Sequence, residues 1–386
     1  MAQVGRIWVL GGGIAGLSAA IALGIAGFHA EVFEQSPELR EVGAGVGLWS
    51  NAMASLEELG AADAVRRACT PLRTVAGANA RGQTLSRTSL DALGAEFAAA
   101  ACFVVLRPAL LAALVARLPT ESIHTGCRAN RLELLEDRVR VHFADGRVED
   151  GDLLVGADGL HSLARSLVVG EDRVRYSGQT CFRGVARYRA HEPDVLREIQ
   201  GAGQRGAVCP VDAETVYWWA AHNAPAETLL EPGARKAHLL TRYRGWPFGL
   251  EQAISATPDD AILQHDLVDR APARLYARGR VILTGDAAHP TTPNLGQGAN
   301  MAIDDAIVLA RALRDEGTLA AARERYERER MPRTRQIVER SWSFGQMCRW
   351  ESALAVSARE LMVRMTPPGV MRGLLRSQIL ESVGRL

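Results

Sequence analysis

The fold is decided near the start of the chain, by the stretch RIWVLGGGIAGLSAAIALGIAGFHAEVFE at residues 6 to 34. Its pattern predicts a strand from Arg6 to Leu10, a glycine-rich turn, a helix from Ile14 to Gly27 and a second strand from Ala30 to Glu34. A helix that connects two such strands forms a βαβ unit, in which the strands are parallel. The chain is therefore predicted to be an α/β protein with a Rossmann-like domain.

The turn carries the spacing G-x-G-x-x-G through Gly11, Gly13 and Gly16. The first glycine permits a tight turn, the second lets the backbone approach a pyrophosphate at the positive end of the helix, and the third lets helix and strand pack closely. Glu34, at the end of the second strand, can accept hydrogen bonds from ribose hydroxyls. Together these features predict a bound dinucleotide that contacts Gly11, Gly13, Ile14, Ala15, Gly16, Glu34 and Gln35.

The same region is a mostly apolar run, Ile7 to Phe28, which superficially resembles a signal peptide or a membrane helix. Its glycines follow directly after five strand-like residues, which favours a strand, a turn and a helix instead. No other long apolar stretch occurs in the sequence. We therefore expect a cytoplasmic protein without stable membrane association.

Composition excludes several classes of protein. The 386-residue chain is 47% hydrophobic, which is enough to bury a large core. Its 45 Lys and Arg residues offset 44 Asp and Glu residues, so it lacks the basic charge of a nucleic-acid-binding protein. Six scattered cysteines, without a C-x-x-C pair or clustered histidines, argue against a metal site and are typical of a reducing cytoplasm. We expect a monomer or a homodimer.

The patterns predict a discontinuous organisation. Residues 1–72, 97–170 and 271–330 form the domain with the βαβ unit, in which Asn51 is a good N-cap for one helix and another begins near Arg107. Residues 73–96 and 171–270 form an inserted substrate domain of antiparallel strands around one helix. Residues 331–386 are predicted to be helical. The nearly helical apolar spacing of residues 369–386 favours packing against a domain or subunit over a membrane-surface role.

Two further segments narrow the choice of dinucleotide: GADGLHSLAR, Gly156 to Arg165, and GDAAHPTTPNLGQGAN, Gly285 to Asn300. With the glycine-rich turn, they resemble the class A flavoprotein aromatic hydroxylases, which are FAD-dependent monooxygenases of the para-hydroxybenzoate hydroxylase type. ELREVGAGVGLWSNA, Glu38 to Ala52, and LRPALLAAL, Leu106 to Leu114, are similar to flavin-contacting segments of that family. The sequence looks closest to the branch that hydroxylates urate, quinolones and hydroxybenzoates. The resemblance implies FAD as a tightly bound cofactor.

The resemblance also implies roles for single residues. Asp286 would bond the ribityl or ribose part of FAD, and the backbone at residues 296–298 would meet the pyrimidine end of the flavin ring. Arg40 and Arg107 would neutralise phosphates or hold ribose. Pro293 would lie beside the reacting position of the flavin. The remaining contacts implied in these segments are with Gly45, Val46, Gly285, Gly296, Gln297, Gly298, Ala299 and Asn300.

The implied reaction uses two co-substrates. The sequence has no second G-x-G-x-x-G, so NAD(P)H would bind transiently without a domain of its own. By resemblance, NAD(P)H reduces FAD, O2 forms a flavin C4a-hydroperoxide, and one oxygen atom is placed on an aromatic or heteroaromatic ring. Asp158 would help to shape the FAD and NAD(P)H sites, or would cap a helix instead. His289 is expected to be structural.

Candidate substrate contacts lie on the predicted antiparallel strands. Arg183, Arg205 and Tyr217 share one face if side chains alternate with a period of two. Arg205 and Tyr217 are similar in placement to the arginine and tyrosine of the urate hydroxylase branch, and a guanidinium favours an anionic substrate. With Pro293 they form the predicted catalytic set, and Trp49 is a further candidate for substrate contact. The alternative is that these residues are ordinary sheet surface.

Other functions remain open from the sequence. A flavin-dependent reductase or dehydrogenase of the same fold would not insert oxygen, and a catalytically silent flavin-binding module would have no turnover. A flavin-dependent halogenase would need a lysine in its pocket. The sole lysine, Lys236, lies in a polar, helix-like stretch, which is a poor place for that role.

Overall fold

The computed structural model describes residues 4–39, 44–97 and 100–386. The strands of this part of the chain are β1 (Arg6–Leu10), β2 (His29–Phe33), β3 (Gly45–Leu48), β4 (Pro71–Leu72), β5 (Thr74–Asn79), β6 (Thr84–Ser89), β7 (Cys102–Leu106), β8 (Ile123–His124), β9 (Ala129–Leu134), β10 (Val139–Phe143), β11 (Val148–Gly151), β12 (Leu153–Gly156), β13 (Val174–Arg187), β14 (Val195–Gln200), β15 (Gln204–Pro210), β16 (Thr215–Asn223), β17 (Leu263–Arg270), β18 (Ala277–Arg278) and β19 (Val281–Leu283). Its α-helices are α1 (Ile14–Ile25), α2 (Ser50–Glu58), α3 (Ala62–Ala68), α4 (Leu90–Phe97), α5 (Arg107–Val115), α6 (Leu163–Val168), α7 (Pro232–Arg242), α8 (Leu250–Ala256), α9 (Gly298–Asp315), α10 (Leu319–Cys348), α11 (Ala353–Met365) and α12 (Pro368–Leu375).

A six-stranded sheet, in the order β18-β19-β12-β1-β2-β8, carries the glycine-rich turn. β1 pairs in parallel with β2 and β12, and β12 pairs in parallel with β19, which confirms the predicted βαβ unit. α1 ends at Ile25, and Gly27 takes a φ of +88° where the chain turns into β2. Because the strands are parallel, the carboxyl ends of β1, β12 and β19 lie at the same edge of the sheet.

A seven-stranded sheet has the order β17-β13-β16-β15-β14-β5-β6. Its strands β13 to β17 pair antiparallel, as predicted, and β5 and β6 from the earlier segment extend it, with β5 parallel to β14. The prediction of one helix in this region is wrong. Two helices, α7 and α8, pack on the sheet because Leu239 and Leu250 share an apolar cluster with Trp218.

The predicted N-cap of α2 is also wrong. α2 begins at Ser50, directly after its N-cap residue Trp49, so Asn51 lies inside the first turn. The Asn51 side chain is fully buried and donates a hydrogen bond to Asp304 at 2.9 Å. The Asn51 side chain therefore bonds to a buried carboxylate on α9 instead of capping its own helix, which is the local role that asparagine favours.

The C-terminal region is helical, as predicted, as far as Leu380. α12 ends at Leu375, a five-residue π-helical turn, Arg376–Leu380, follows, and residues 381–386 have no regular structure. Ile379 is buried, as the packing interpretation requires, whereas Val370 and Leu374 are exposed. Earlier in the chain, α9 begins at Gly298 as predicted and packs along α10. None of the helices within the described ranges is long and apolar enough to cross a membrane.

Candidate functional site

Three glycine-bearing bends meet at the carboxyl edge of the six-stranded sheet. Gly11 has a φ of +106°, and a Cβ at this position would lie 2.4 Å from the carbonyl oxygen of Ala157 in the second bend. A Cβ on Gly285, in the third bend, would lie 2.7 Å from the Cβ of Ala15. A Cβ on Gly16 would lie 1.9 Å from the Gly11 carbonyl oxygen. These glycines are required because the segments touch where a side chain would stand.

Two helices begin at these bends without a side-chain cap. α1 starts after Gly13, which has no side chain to cap it. α9 starts after Gln297, whose side chain accepts no hydrogen bond from the first-turn amides. Those amides have no acceptor within the helix and carry the positive end of its dipole. Among the described residues, no heavy atom outside its own helix and chain neighbours comes within 4 Å of a Cβ built on Gly13. The backbone there is open to a negatively charged group.

Asp286 lies beside the start of α9. Its Oδ1 is 4.0 Å from the position that a Cβ would take on Gly298. The side chain is exposed to solvent, yet protein surrounds it closely enough that burial raises the pKa of its carboxyl, against the charges of His289 and Arg107. Such a carboxylate lies in a concave part of the surface and can accept hydrogen bonds from ligand hydroxyls.

These features fit FAD. The open backbone at Gly13 suits a pyrophosphate, and the accessible carboxylate of Asp286 suits the hydroxyls of a ribityl chain. The start of α9 at Gly298 suits the negative charge that reduced flavin carries near N1 and O2. All three positions lie at the strand ends of the parallel sheet, which is where ligands of α/β proteins bind.

Glu34 lies at the rim of the first bend. Its Oε2 accepts a hydrogen bond from the Gly12 amide at 2.6 Å, and its Oε1 accepts one from the Ser36 amide at 2.8 Å. These bonds fix the carboxylate next to the glycine-rich turn. Its contact with ribose stays a prediction, as does the contact of the exposed neighbouring Gln35.

Asp158 accepts hydrogen bonds from the first turn of a helix in the second bend, whose N-cap residue is Ser162. Its Oδ2 accepts hydrogen bonds from the amides of Leu163 at 2.7 Å and Ala164 at 3.2 Å, at the start of α6. Burial raises the pKa of its carboxyl, and the hydrogen bonds from Ser162 and these amides oppose that shift. Asp158 therefore supports the start of α6 without being its N-cap residue. Its part in an FAD or NAD(P)H site stays a prediction.

Trp49 ties the segment after β3 to the loop before α9. Its indole Nε1 donates to the Gly296 carbonyl at 3.0 Å, and its backbone amide donates to Asn300 Oδ1 at 2.8 Å. The Asn300 Nδ2 donates in turn to the carbonyls of Gly47 and Gly296, at 2.8 Å each. These bonds hold the backbone that is expected to meet the pyrimidine end of the flavin.

The other predicted contacts have the following places. Gly45 and Val46 lie in β3, which pairs with β7. Arg107 begins α5 next to β7, and Pro293 begins a short 3-10 turn, Pro293–Leu295, before α9. Arg40 lies outside the described residues.

Arg183, Arg205 and Tyr217 lie on one face of the seven-stranded sheet, as their spacing predicted. Arg183 is opposite Trp219 in the β13–β16 pair, and Tyr217 is two residues from Trp219 on β16. Arg205 is opposite Ala221 in the β15–β16 pair, again two residues from Trp219. Side chains two apart along a strand share a face. We call the face that carries Arg183, Arg205, Tyr217 and Trp219 the substrate face.

Arg183 is a half-buried cation with no carboxylate partner among the described residues. Burial lowers the pKa of its guanidinium, but the neighbouring Cys181 and Tyr217 outweigh that effect and the net shift is upward. Arg183 is therefore charged. A buried charge without a partner is costly in a folded protein unless a ligand supplies the opposite charge.

Arg205 is more enclosed and has protein partners. It is 2% exposed, donates from Nη2 to Asn294 Oδ1, and has Nη1 3.6 Å from Glu198 Oε1. Its guanidinium lies over the rings of Trp219 and Phe344, at 5.3 and 5.9 Å from their centroids. Arg205 thus links the substrate face to the loop before α9 and to α10.

Asn294, Glu198 and Phe344 contact Arg205 and were not among the candidate residues predicted from the sequence. Asn294 Nδ2 donates to Thr292 Oγ1 at 2.9 Å and to the Ser341 carbonyl at 2.8 Å, so α10 holds it in place. The alternation along β14 could have placed Glu198 on the substrate face. Phe344 carried no signal, because packing between distant segments brings α10 to the sheet.

Tyr217 keeps its phenolic proton. Burial raises the pKa of the phenol above its ordinary value, and the charges of Arg183 and Arg107 oppose that shift without reversing it. The hydroxyl can therefore donate a hydrogen bond at neutral pH.

The opposite face of this sheet packs on helices. Trp218 is fully buried there, and its Nε1 donates to Thr257 Oγ1 at 2.7 Å. The sole lysine, Lys236, lies on α7, which packs on this opposite face. Trp218 therefore lies opposite the substrate face. The substrate face has no lysine of the kind that a halogenase needs.

Comparison with known proteins gives similarities over nearly the whole chain. Residues 5–341 match the family model described as FAD binding domain. The aurachin C monooxygenase/isomerase of Stigmatella aurantiaca is 39% identical over 360 residues, 93% of this chain and 94% of that protein. The FAD-dependent urate hydroxylase of Klebsiella pneumoniae subsp. pneumoniae is 34% identical over 334 residues, 86% of this chain and 87% of that protein.

A solved structure shows the same arrangement of chain. The crystal structure of Klebsiella pneumoniae HpxO complexed with FAD and uric acid has a TM-score of 0.90 to this protein at 29% sequence identity. The alignment covers 98% of this chain and 97% of that one.

Proposed function

This chain belongs to the FAD-binding domain family, and from that premise we propose that it hydroxylates an anionic aromatic or heteroaromatic small molecule with FAD, NAD(P)H and O2. The enzyme is an FAD-dependent oxidoreductase, as are its relatives. The observation that carries the proposed substrate class is Arg183, a half-buried guanidinium on the substrate face without a carboxylate partner among the described residues.

The residues at the three bends would hold FAD, with the pyrophosphate at Gly13, the ribityl chain at Asp286 and the flavin ring near Gly298. When bound, FAD supplies the activation of O2 and the transfer of one oxygen atom. The uncapped start of α9 stabilises negative charge at that end of the site. The bonds from Trp49 and Asn300 keep the adjoining loop fixed, so its amides need no rearrangement.

The substrate face would bind and activate the ring. Arg183 neutralises a deprotonated ring oxygen or a carboxylate, and a deprotonated hydroxyl makes the ring more electron-rich. Tyr217 donates a hydrogen bond to the same anion and orients it. Arg205, already bonded to Asn294 and close to Glu198, completes this wall and holds the loop at Pro293 against it.

The apolar surroundings of these polar groups have a further role. Trp219 covers the Arg205 guanidinium, and Trp49 closes the side near Gly296. Exclusion of water protects a reactive oxygen donor and strengthens the charge interactions with the substrate.

We place the protein in the cytoplasm as a monomer or homodimer, with all six cysteines buried and unpaired as a reducing compartment allows.

The test is a screen of phenols, purines, quinolones and pyridines for stimulated NAD(P)H oxidation, with product mass measured. We expect an anionic ring compound to gain one oxygen atom per NAD(P)H consumed. NAD(P)H oxidation without a hydroxylated product from any compound would instead support a reductase, and absence of turnover would support a silent flavin-binding module.

Arg183→Gln tests whether the half-buried Arg183 guanidinium binds the anionic substrate. We expect KM for the anionic substrate to rise about tenfold or more, with FAD content unchanged, because one charge-assisted contact is lost. Arg187→Gln is the matched control, since Arg187 lies on the same strand but is exposed and paired with Glu214. Equal KM values in the two variants would remove Arg183 from the site.

A further inference from the structure

Exposed apolar side chains are concentrated on the C-terminal helices. Seven of the twelve large hydrophobic residues that are exposed in the described part of the chain lie between Trp350 and Leu374. Six of these form what we call the C-terminal surface: Leu354, Leu361, Met362, Met365, Val370 and Leu374. Leu354 is 87% exposed and Met365 is 71% exposed. Exposed apolar side chains concentrated on two consecutive helices indicate an interaction site, whereas isolated exposed leucines are ordinary.

α11 exposes its apolar side to solvent, whereas a helix that only packs on its own protein would bury that side. Leu354, Leu361 and Met365 recur at helical spacing on the exposed side. The side that faces the protein carries Arg359, which is 1% exposed and donates to the Gly201 carbonyl at 2.8 Å. Next to it, Glu360 accepts a hydrogen bond from Asn79 at 3.0 Å. The helix is thus anchored through polar contacts, and its apolar side is left for something outside the chain.

The charges around the C-terminal surface identify the chemistry of that partner. Between residues 352 and 380, Arg364, Arg372 and Arg376 are exposed, and Glu360 is the single acidic residue of the stretch. Its carboxylate is already bonded to Asn79. From outside the stretch, the exposed Glu96 lies 3.6 Å from Arg372 and offsets part of this charge. The stretch therefore keeps an excess of positive charge beside its exposed apolar side chains, which is the composition of helices that lie in the headgroup region of an anionic bilayer.

A second copy of the chain fits this surface less well. In a two-fold symmetric dimer, both copies use the same patch, so two sets of these arginines are brought to one interface. Like charges brought together at an interface oppose association. An anionic lipid surface has the complementary charge and takes the leucines and methionines into its apolar region.

We propose that the C-terminal surface binds reversibly to the surface of a bilayer that contains anionic phospholipid. This revises the expectation that the C-terminal segment serves only for packing, and it is independent of the proposed reaction. α11 packs on β6, the edge strand of the seven-stranded sheet, so the bound membrane lies next to the substrate domain.

The test uses the full chain loaded with FAD and vesicles of phosphatidylcholine, with or without phosphatidylglycerol, in a co-sedimentation assay. We expect binding to the phosphatidylglycerol vesicles that weakens as salt is added. The double substitution Leu361→Ser with Met365→Ser should reduce the partition coefficient about tenfold or more, because two apolar side chains no longer enter the lipid.

Leu229→Ser is the matched control, since Leu229 is 60% exposed but lies outside the C-terminal surface. It should bind vesicles as the unaltered protein does, and both variants should retain FAD, which shows that they fold. Failure of the unaltered chain to sediment with either vesicle, equal binding to neutral and anionic vesicles, or unchanged binding of the double variant would each overturn the proposal. A dimer that the double variant abolishes, in sedimentation velocity without lipid, would assign the surface to a second copy instead.

Discussion

The ring of Tyr217 lies directly against the backbone of Gly45, so closely that a Cβ on the glycine would come within 2.3 Å of the ring. Gly45 belongs to β3, in the segment that resembles a flavin-contacting part of the aromatic hydroxylases, and Tyr217 belongs to the substrate face. The contact sets the distance between the proposed flavin and substrate sites. It also explains why β3 must begin with a glycine.

Gly45→Ala should displace the Tyr217 ring, because rigid ring atoms occupy the place of the new methyl group. We expect kcat/KM for hydroxylation to fall about tenfold, which corresponds to about 1.4 kcal/mol, and more of the NAD(P)H to be consumed without product. The measurements are steady-state kinetics and the ratio of product to NAD(P)H. Gly24→Ala, on α1 with open space around it, is the control. Full coupling in Gly45→Ala would show that the contact has no part in placing the tyrosine.

Asp305 should be essential for the shape of the third bend. It is fully buried, and its carboxylate accepts from the Gly285 amide at 2.9 Å, from His289 Nε2 at 2.6 Å and from Arg330 Nε at 2.6 Å. Burial alone would raise the pKa of Asp305, but His289 and Arg330 outweigh it and lower the pKa to about 2. His289, which is expected to be structural, takes part in this network.

Asp305→Asn removes the carboxylate that is ion-paired with the buried Arg330. We expect the free energy of unfolding to drop by about 3–5 kcal/mol and FAD to bind more weakly, since the Gly285 bend loses its anchor. Urea unfolding and FAD titration measure the two effects. Asp315→Asn removes a more exposed ion pair with Arg314 and should cost no more than about 1 kcal/mol. Equal costs in the two variants would contradict the anchoring role.

His222 should make the protein less stable as the pH falls. Burial, followed by the charges of Arg242 and His238, lowers its pKa to about 3, whereas an unfolded chain titrates histidine near about 6.5. Between these pH values the unfolded state binds one proton that the folded state does not. The free energy of unfolding therefore decreases as the pH falls below about 6.5.

The variant His222→Gln removes this titration. Between pH 7 and pH 5, the unaltered protein should lose about 2 kcal/mol more unfolding free energy than the variant does. Denaturant unfolding at both pH values gives the comparison. Parallel losses in the two proteins would mean that His222 is not held neutral in the fold.

The βαβ unit and the three bends could be predicted because their signals are local. Gly11, Gly16 and Gly285 are required by contacts within or between short turns, and the residue type itself reports the constraint. The shared face of Arg183 and Tyr217 followed from the period of two along strands. Such periodicity specifies the face of a sheet but not what covers it.

The errors have a common physical cause, which is competition from distant segments. Asn51 has the residue type of an N-cap, but the buried Asp304 on α9 takes its side chain. Asn294, in the turn before α9, and Phe344, on α10, reach Arg205 from segments far along the chain. In the C-terminal tail, the apolar residues have nearly helical spacing, but Ile379 is buried whereas Val370 and Leu374 are exposed. No pattern within one segment reports these contacts.

The most direct test of the account is an FAD titration of Gly13→Asp beside the unaltered protein. Space is open around Gly13, and aspartate is a favourable N-cap, so the variant should fold with equal or greater thermal stability while its carboxylate occupies the place of the pyrophosphate. Gly233→Asp, at another unobstructed position in the first turn of a helix, is the control. We predict one FAD per chain for the unaltered protein and the control, and affinity reduced about a hundredfold or more in Gly13→Asp. A folded Gly13→Asp protein that binds FAD as tightly as the unaltered chain would contradict the account.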